Sequence, residues 1–345
     1  MSKLDVTPNS SYETVGAKQL YRRAEATGRI TLPAAPSMIN EYIQMCDNIF
    51  KAIGISFNHA ELEGLRSALS TELDIAFNAS HRSKIIISYD SPQGSILNYH
   101  IQAQWVSIEA KYENWLATRE PPLFGAQPDA RVLSLAMSDK NLETFSILDL
   151  GAGTGRNALP LARLGHSVDV VEVTTKFAEI IQAVVDQEFL NIRIFNCDIF
   201  DDIHELRSDY QLIILAEVAT DFRSIEQLRK VFTLVSKSLA TGGRFVLNTF
   251  VAKSGYTPDA AAREFGQQCY SAIFTPLELT AVVQGLTLEL ESDESAYEYE
   301  KANLPPGSWP QTSWFEAWAK GQDVFGIEKK DSPIELRWLV YRKVT

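Results

Sequence analysis

The residues of this 345-residue chain best placed for chemistry lie at Asp149-Leu150-Gly151-Ala152-Gly153-Thr154-Gly155-Arg156-Asn157. An apolar run, Ser146-Ile147-Leu148, leads into a carboxylate; three glycines alternate with other residues; an apolar helical pattern then begins. Glycine leaves room where the backbone turns sharply and a ligand comes close, and the helix start offers free N–H groups. A second apolar run, Ser167-Val168-Asp169-Val170-Val171, ends at Glu172, a carboxylate placed to hold the two hydroxyls of a ribose. Strand, glycine turn, helix, strand and acid in this order describe a dinucleotide- or nucleoside-binding α/β sheet. NAD is the rival ligand. The glycines run GxGxG rather than GxGxxG, however, and Arg156 stands where a pyrophosphate loop would close with glycine.

The elements that position these residues follow from periodicity. From residue 146, strands are expected at 146–150, 167–172, 192–196, 210–216 and 244–249, alternating with helices at 156–164, 176–188 and 225–239, the signature of a parallel sheet. Thr241-Gly242-Gly243 forms the turn before the fifth strand. A helix at 276–284 precedes two last strands, 286–291 and 335–342, expected as an antiparallel hairpin at the sheet edge. Residues 1–35 read as a polar arm with a short helix at 17–26, ending in the extended linker Leu32-Pro33-Ala34-Ala35-Pro36. Residues 36–144 read as a mostly helical α+β appendage for substrate or partner recognition. It contains a striped helix at 38–53 and a second helix capped by Asn58 and Glu61. A hairpin of 84–90 and 96–106 follows, then helices at 108–120 and 131–137. Residues 145–345 form the ligand-binding domain.

Composition narrows the function classes. A net charge of −12 provides no basic field for nucleic acid and equally disfavours an anionic membrane. The three cysteines, Cys46, Cys197 and Cys269, match neither a disulfide framework nor a zinc pattern. No metal cluster is legible. The polar start lacks a signal-peptide core and no apolar run nears membrane length, so a cytoplasmic location is expected.

In its motifs and their order, the stretch from about 145 to the end resembles the class I S-adenosylmethionine-dependent methyltransferases, with Gly153 to Ala162 closest in flavour to the tellurite-resistance-type branch. Asp149 to Gly155 resembles that family's first motif, and Glu172 its ribose-binding acid. Cys197-Asp198-Ile199 is similar to the segment whose aspartate meets the adenine amino group. Leu215-Ala216-Glu217-Val218 resembles the strand-four motif at the methionine end, and Thr241 to Arg244 the turn before strand five. The resemblance implies a Rossmann-like fold with an antiparallel last strand, S-adenosylmethionine as cofactor and S-adenosylhomocysteine as product. It implies cofactor contacts from Asp149, Gly151, Ala152, Gly153, Gly155, Arg156, Asn157, Glu172, Val173, Asp198, Ile199, Glu217 and Val218.

Methyl transfer from a sulfonium is a direct displacement, so the chain need supply only alignment and, for some acceptors, a base. Candidates for that base are Glu217, Asp221, Tyr256, Tyr270 and His100. Tyr112, Trp115 and Arg119 share a helix face just ahead of the glycine turn. With Arg263 in the long insert Asn248 to Thr275, they are the candidate substrate contacts. A second insert, Pro305 to Asp331, concentrates Trp309, Trp314 and Trp318. The acceptor is expected to be a small metabolite methylated on O, N or C. Alternatives are a protein side chain docked by the appendage, a non-catalytic scaffold and an NAD-binding oxidoreductase.

Overall fold

The computed structural model describes residues 15–16, 20, 25–93, 96–138, 145–326 and 331–344. They fall into two compact units, divided between Val106 and Ser107.

In the first unit, strand β1 (Ala26–Pro33) is followed by helices α1 (Ile39–Ala52) and α2 (His59–Ala79) and strands β2 (Lys84–Gln93) and β3 (Ile96–Gln104). The strands form one antiparallel sheet in the order β1-β2-β3. Within the stretch expected as an arm and extended linker, Ala26–Pro33 is a strand, because β2 offers it a full ladder from Ala26↔Ser91 to Pro33↔Lys84. Most of the helix expected at 17–26 lies outside the described residues. Asn58 and Glu61 form the expected capping box, and Leu65, Leu69 and Leu73 of α2 are fully buried with Ile85 and Ile87 of β2. The hairpin of β2 and β3 matches the alternating pattern.

The second unit starts with helices α3 (Ile108–Thr118) and α4 (Ala130–Ala136). Strand β4 (Ser146–Leu150), α5 (Ala158–Arg163), β5 (Ser167–Val171), α6 (Thr175–Glu188), β6 (Ile192–Phe195) and β7 (Tyr210–Leu215) continue it. Then come α7 (Ile225–Ser238), β8 (Leu239–Ala252), α8 (Ala260–Gln268), β9 (Ile273–Phe274) and α9 (Pro276–Val283). The chain closes with β10 (Leu288–Ser295), α10 (Ala296–Asn303), α11 (Phe315–Ala319), α12 (Gln322–Phe325) and β11 (Ile334–Lys343). The sheet order is β10-β11-β8-β7-β4-β5-β6, with β9 beside β8. Strands β8, β7, β4, β5 and β6 are mutually parallel, whereas β11 runs antiparallel to both β8 and β10. This is the Rossmann-like sheet with the expected edge hairpin.

Alternation sends the strand side chains to two cores. Ile147, Val168, Val170, Ile214 and Val246 join one cluster, while Leu148, Val171, Ile213, Leu215 and Leu247 join the other with Phe232 and Val235 of α7. The fifth strand begins earlier than expected, at Leu239. Gly242 and Gly243 lie inside it at a register shift, where a Cβ on Gly243 would stand 2.7 Å from the Tyr210 carbonyl. The insert expected from Asn248 starts only after Ala252, because β11 pairs with β8 as far as Ile334↔Ala252. The tryptophan-rich insert packs on its own sheet, with Trp318 and Phe315 buried in the first cluster. Residues 107–138 belong with the second unit rather than with the residues before them. Buried polar bonds explain this. Glu300 of α10 accepts the first two N–H groups of α4, from Ala130 at 2.8 Å and Arg131 at 3.2 Å, and takes the Trp338 indole N–H at 2.9 Å.

Candidate active site

The glycine turn leaves β4 at the carboxyl edge of the sheet, where open α/β folds bind ligands. Gly151, Gly153 and Gly155 all have positive φ (75°, 58° and 85°). A Cβ at Gly151 would lie 2.5 Å from a Val218 methyl, and one at Gly155 would lie 2.8 Å from Leu159 Cγ. Conformation and space both require glycine here. Gly153 faces the Phe124 ring, 3.3 Å from where its Cβ would be.

Glu172, 4% exposed, fastens the turn to the next strand. Its Oε2 accepts the Gly153 N–H at 2.7 Å and its Oε1 the Thr174 N–H at 2.8 Å. Burial raises its pKa, against the pull of hydrogen bonds from Thr174, Gly153 and Val173.

Behind the turn lies a knot of buried charge. Asp149 is 2% exposed, and its Oδ2 has no hydrogen-bond partner among the described residues. Burial pushes its pKa up to about 7; Arg156 opposes the shift, and Asp129 and Glu172 add to it. The Arg156 guanidinium bridges Asp129 at 2.6 Å and Glu217 at 2.9 Å, with only 7% of its side chain exposed. Burial works against that charge, but Asp129 and Glu217 hold it on and shift the balance upward. Asn157 and Gln311 donate to the two Asp129 oxygens, at 2.9 and 2.8 Å. Glu217 sits at φ +60°, fixed by its N–H to Asn248 Oδ1 at 2.5 Å. Burial raises the Glu217 pKa as well. Asn248 is 1% exposed, and its Nδ2 has no hydrogen-bond partner among the described residues. The cradle thus carries more buried acid than base, which suits a ligand bearing positive charge.

The sequence-derived residues divide. Asp149, Gly151, Ala152, Gly153, Gly155, Arg156, Asn157, Glu172, Glu217 and Val218 come together around the turn. Arg156 serves as an ion-pair centre, joined to two carboxylates. Val173 is exposed beyond Glu172. Asp198 is exposed too, and its Oδ1 accepts the Phe200 N–H at 2.9 Å; Ile199 beside it is half-buried. Tyr270 joins Tyr112, Trp115, Phe124 and Phe177 in one aromatic group, with Arg119 stacked 3.7 Å from the Trp115 centroid. Tyr256 instead packs on Phe325. Arg263 is spent on the Ile273 carbonyl and the Glu278 carboxylate, both at 2.9 Å. His100 stands exposed on β3 of the first unit. Sequence reasoning missed Asp129, Asn248 and Gln311. Asp129 stands at the N-cap position of α4, yet its side chain makes no cap bond and accepts from Arg156 instead.

Residues 147–243 match the family model described as a methyltransferase domain, which bears out the class I methyltransferase resemblance of the motifs. No curated protein matches the sequence. Among solved structures, the chain is similar to geranyl diphosphate C-methyltransferase from Streptomyces coelicolor A3(2), crystallised with Mg2+, geranyl diphosphate and S-adenosyl-L-homocysteine. Identity is 14% and the TM-score 0.46, over 62% of this chain and 79% of that one. The StiE O-MT region 961–1257 gives 18% and 0.44, over 62% and 73%. The [4+2]-cyclase SpnF gives 15% and 0.42, over 62% and 78%.

Proposed function

Taking residues 147–243 as a methyltransferase domain, we infer that the chain is an S-adenosylmethionine-dependent methyltransferase acting on a small-molecule acceptor. The observation that carries this is the cradle itself: a turn that admits only glycine, closed by a buried Glu172 and backed by Asp149, whose buried Oδ2 lacks a partner among the described residues. S-adenosylmethionine, when bound, supplies a sulfonium methyl for direct displacement. Glu172 accepts the ribose hydroxyls, and the bare backbone of Gly151 to Gly155 admits the ligand against β4. Asp149 and Glu217 offer buried negative charge to the amino acid end, where Asn248 Nδ2 is a spare donor. A pyrophosphate would meet the same carboxylates with Arg156 already committed to two of them, so NAD fits poorly.

Positioning dominates this reaction, because in-line geometry converts a bimolecular step into a near-unimolecular one. Phe124 packs on Gly153 and joins the rings of Tyr112, Trp115 and Tyr270 beside the turn, a group suited to hold an acceptor. The test is methyl transfer from labelled donor, using the full chain, into a metabolite extract and separately into the protein fraction of a lysate. Label in the metabolite fraction is expected. Label confined to protein would transfer the reading to a protein acceptor, and label in neither would refute it.

A further inference from the structure

Beside the donor turn, aromatic rings gather and one arginine borders them. Phe124 lies on Gly153, 3.3 Å from where a Cβ would stand, and packs 5.6 Å, ring to ring, from Phe177 of α6. Trp115 of α3 stands 6.3 Å from Phe124 and 6.1 Å from Tyr270. Phe177 is 1% exposed, whereas Trp115, Phe124 and Tyr270 are only half-buried. Ring surface left partly open next to a ligand-binding turn gains from a flat apolar partner.

The group is built into the fold. Gly125 is buried at φ +99° directly after Phe124, and a Cβ there would stand 3.0 Å from the Gln311 carbonyl oxygen. Tyr270 sits at φ +57°, a conformation that L side chains seldom adopt. Its carbonyl accepts the indole N–H of the buried Trp318 at 2.9 Å. Strain kept at such a position points to use.

Arg119 sets the charge. Its backbone N–H ends α3 by donating to the Trp115 carbonyl at 2.9 Å, and its guanidinium carbon lies 3.7 Å from the Trp115 ring centroid. Stacking uses the face of a guanidinium, so the N–H groups in its plane stay open to a bidentate acceptor. Carboxylates are in excess in this chain, with 44 acidic residues against 32 basic ones. Arg131, Arg163, Arg193 and Arg337 of the same unit each pair with one. Arg119 pairs with none among the described residues, although Glu120 follows it directly.

We propose that the methyl acceptor is an aromatic carboxylate, its ring seated on Trp115 and Phe124 and its carboxylate held by Arg119. The inference rests on the methyltransferase reading for the ligand's role, and on the rings and Arg119 for its class. The contact of Phe124 with Gly153 puts such a ligand beside the donor turn.

The experiment measures binding of 2-naphthoate to the full chain by calorimetry, with 2-naphthamide as the neutral isostere. Wild type, Arg119→Met, Arg119→Lys and Trp115→Leu are compared, with circular dichroism confirming the fold of each. Wild type should bind the naphthoate at least fivefold more tightly than the amide. Arg119→Met keeps a stem on the indole but loses the fork, so the preference should fall to within twofold while amide affinity holds. Arg119→Lys, which keeps the charge without the fork, should retain part of the preference. Trp115→Leu should weaken both ligands at least threefold. Equal wild-type binding of the two ligands, a preference that survives Arg119→Met, Trp115→Leu leaving both affinities unchanged, or no binding by the folded wild type would overturn the proposal. S-adenosylhomocysteine is titrated into the same samples without naphthoate. Donor binding without a naphthoate preference removes the carboxylate site and leaves the methyltransferase reading; a naphthoate preference without donor binding does the reverse.

Discussion

Replacing Arg156 by methionine tests whether the charge knot behind the glycine turn is as buried as its geometry says. The guanidinium is 7% exposed and its partners Asp129 and Glu217 are 1% and 14% exposed. Methionine fills much of the volume but leaves two carboxylates facing each other in a dry site. Breaking such a pair from one side costs about 3–5 kcal/mol, whereas an exposed pair would cost under about 1 kcal/mol. The stranded carboxylates have an escape, because a proton can replace the guanidinium. Burial already raises the pKa of Glu217 and of Asp149, and in both Arg156 is what opposes the rise. With the arginine gone both move further up, so the folded variant takes up protons that the unfolded chain releases. Stability is then lost as pH rises, and the loss relative to wild type should be near the full range at pH 8 and clearly smaller at pH 6. Urea unfolding followed by tryptophan fluorescence reads the right unit, since only Trp105 of the six tryptophans lies before residue 107. Adding Glu217→Gln to the variant should restore part of the loss. A loss under about 1 kcal/mol, or one equal at both pH values, would refute a buried ion-pair centre.

Three further outcomes follow from named contacts. Gly155→Ala should cost about 2–4 kcal/mol in unfolding free energy, combining a Cβ at φ +85° with overpacking against Leu159. The control Gly165→Ala, also at positive φ but with no atom within 4 Å, should lose only about 1–2 kcal/mol. Asp149, raised from 3.8 to about 7, favours the folded state fully below the lower value, and that contribution disappears as pH rises through the upper one. Asp149→Asn should therefore flatten the decline of the unfolding midpoint across that window, and an unchanged slope would show that the group is not perturbed. Glu172→Ala should weaken donor binding by about 1.5–3 kcal/mol if its charged hydrogen bonds are made to the donor; unchanged affinity would move the ribose contact elsewhere.

Much of the fold was legible because its signals are local. The glycine turn and the strand runs ending at Asp149 and Glu172 each announce themselves within a dozen residues. So does the Asn58–Glu61 cap. What escaped depends on partners far along the chain. Strand β1 looks like a linker until β2, more than fifty residues on, supplies its ladder. Asp129 escaped because the sequence cannot show that Glu300 caps α4 from 170 residues away and leaves Asp129 to Arg156. Among the described residues no helix is long and apolar enough to cross a membrane.

The central claim is that the cradle from Asp149 to Glu172 holds a methyl donor. Titration of the full-length chain with S-adenosylmethionine in a calorimeter tests it most directly. A single saturable site is expected, tighter at pH 8 than at pH 6 as Asp149 ionises, and lost or weakened in Glu172→Ala. No binding heat from either S-adenosylmethionine or S-adenosylhomocysteine, with the protein folded, would contradict it.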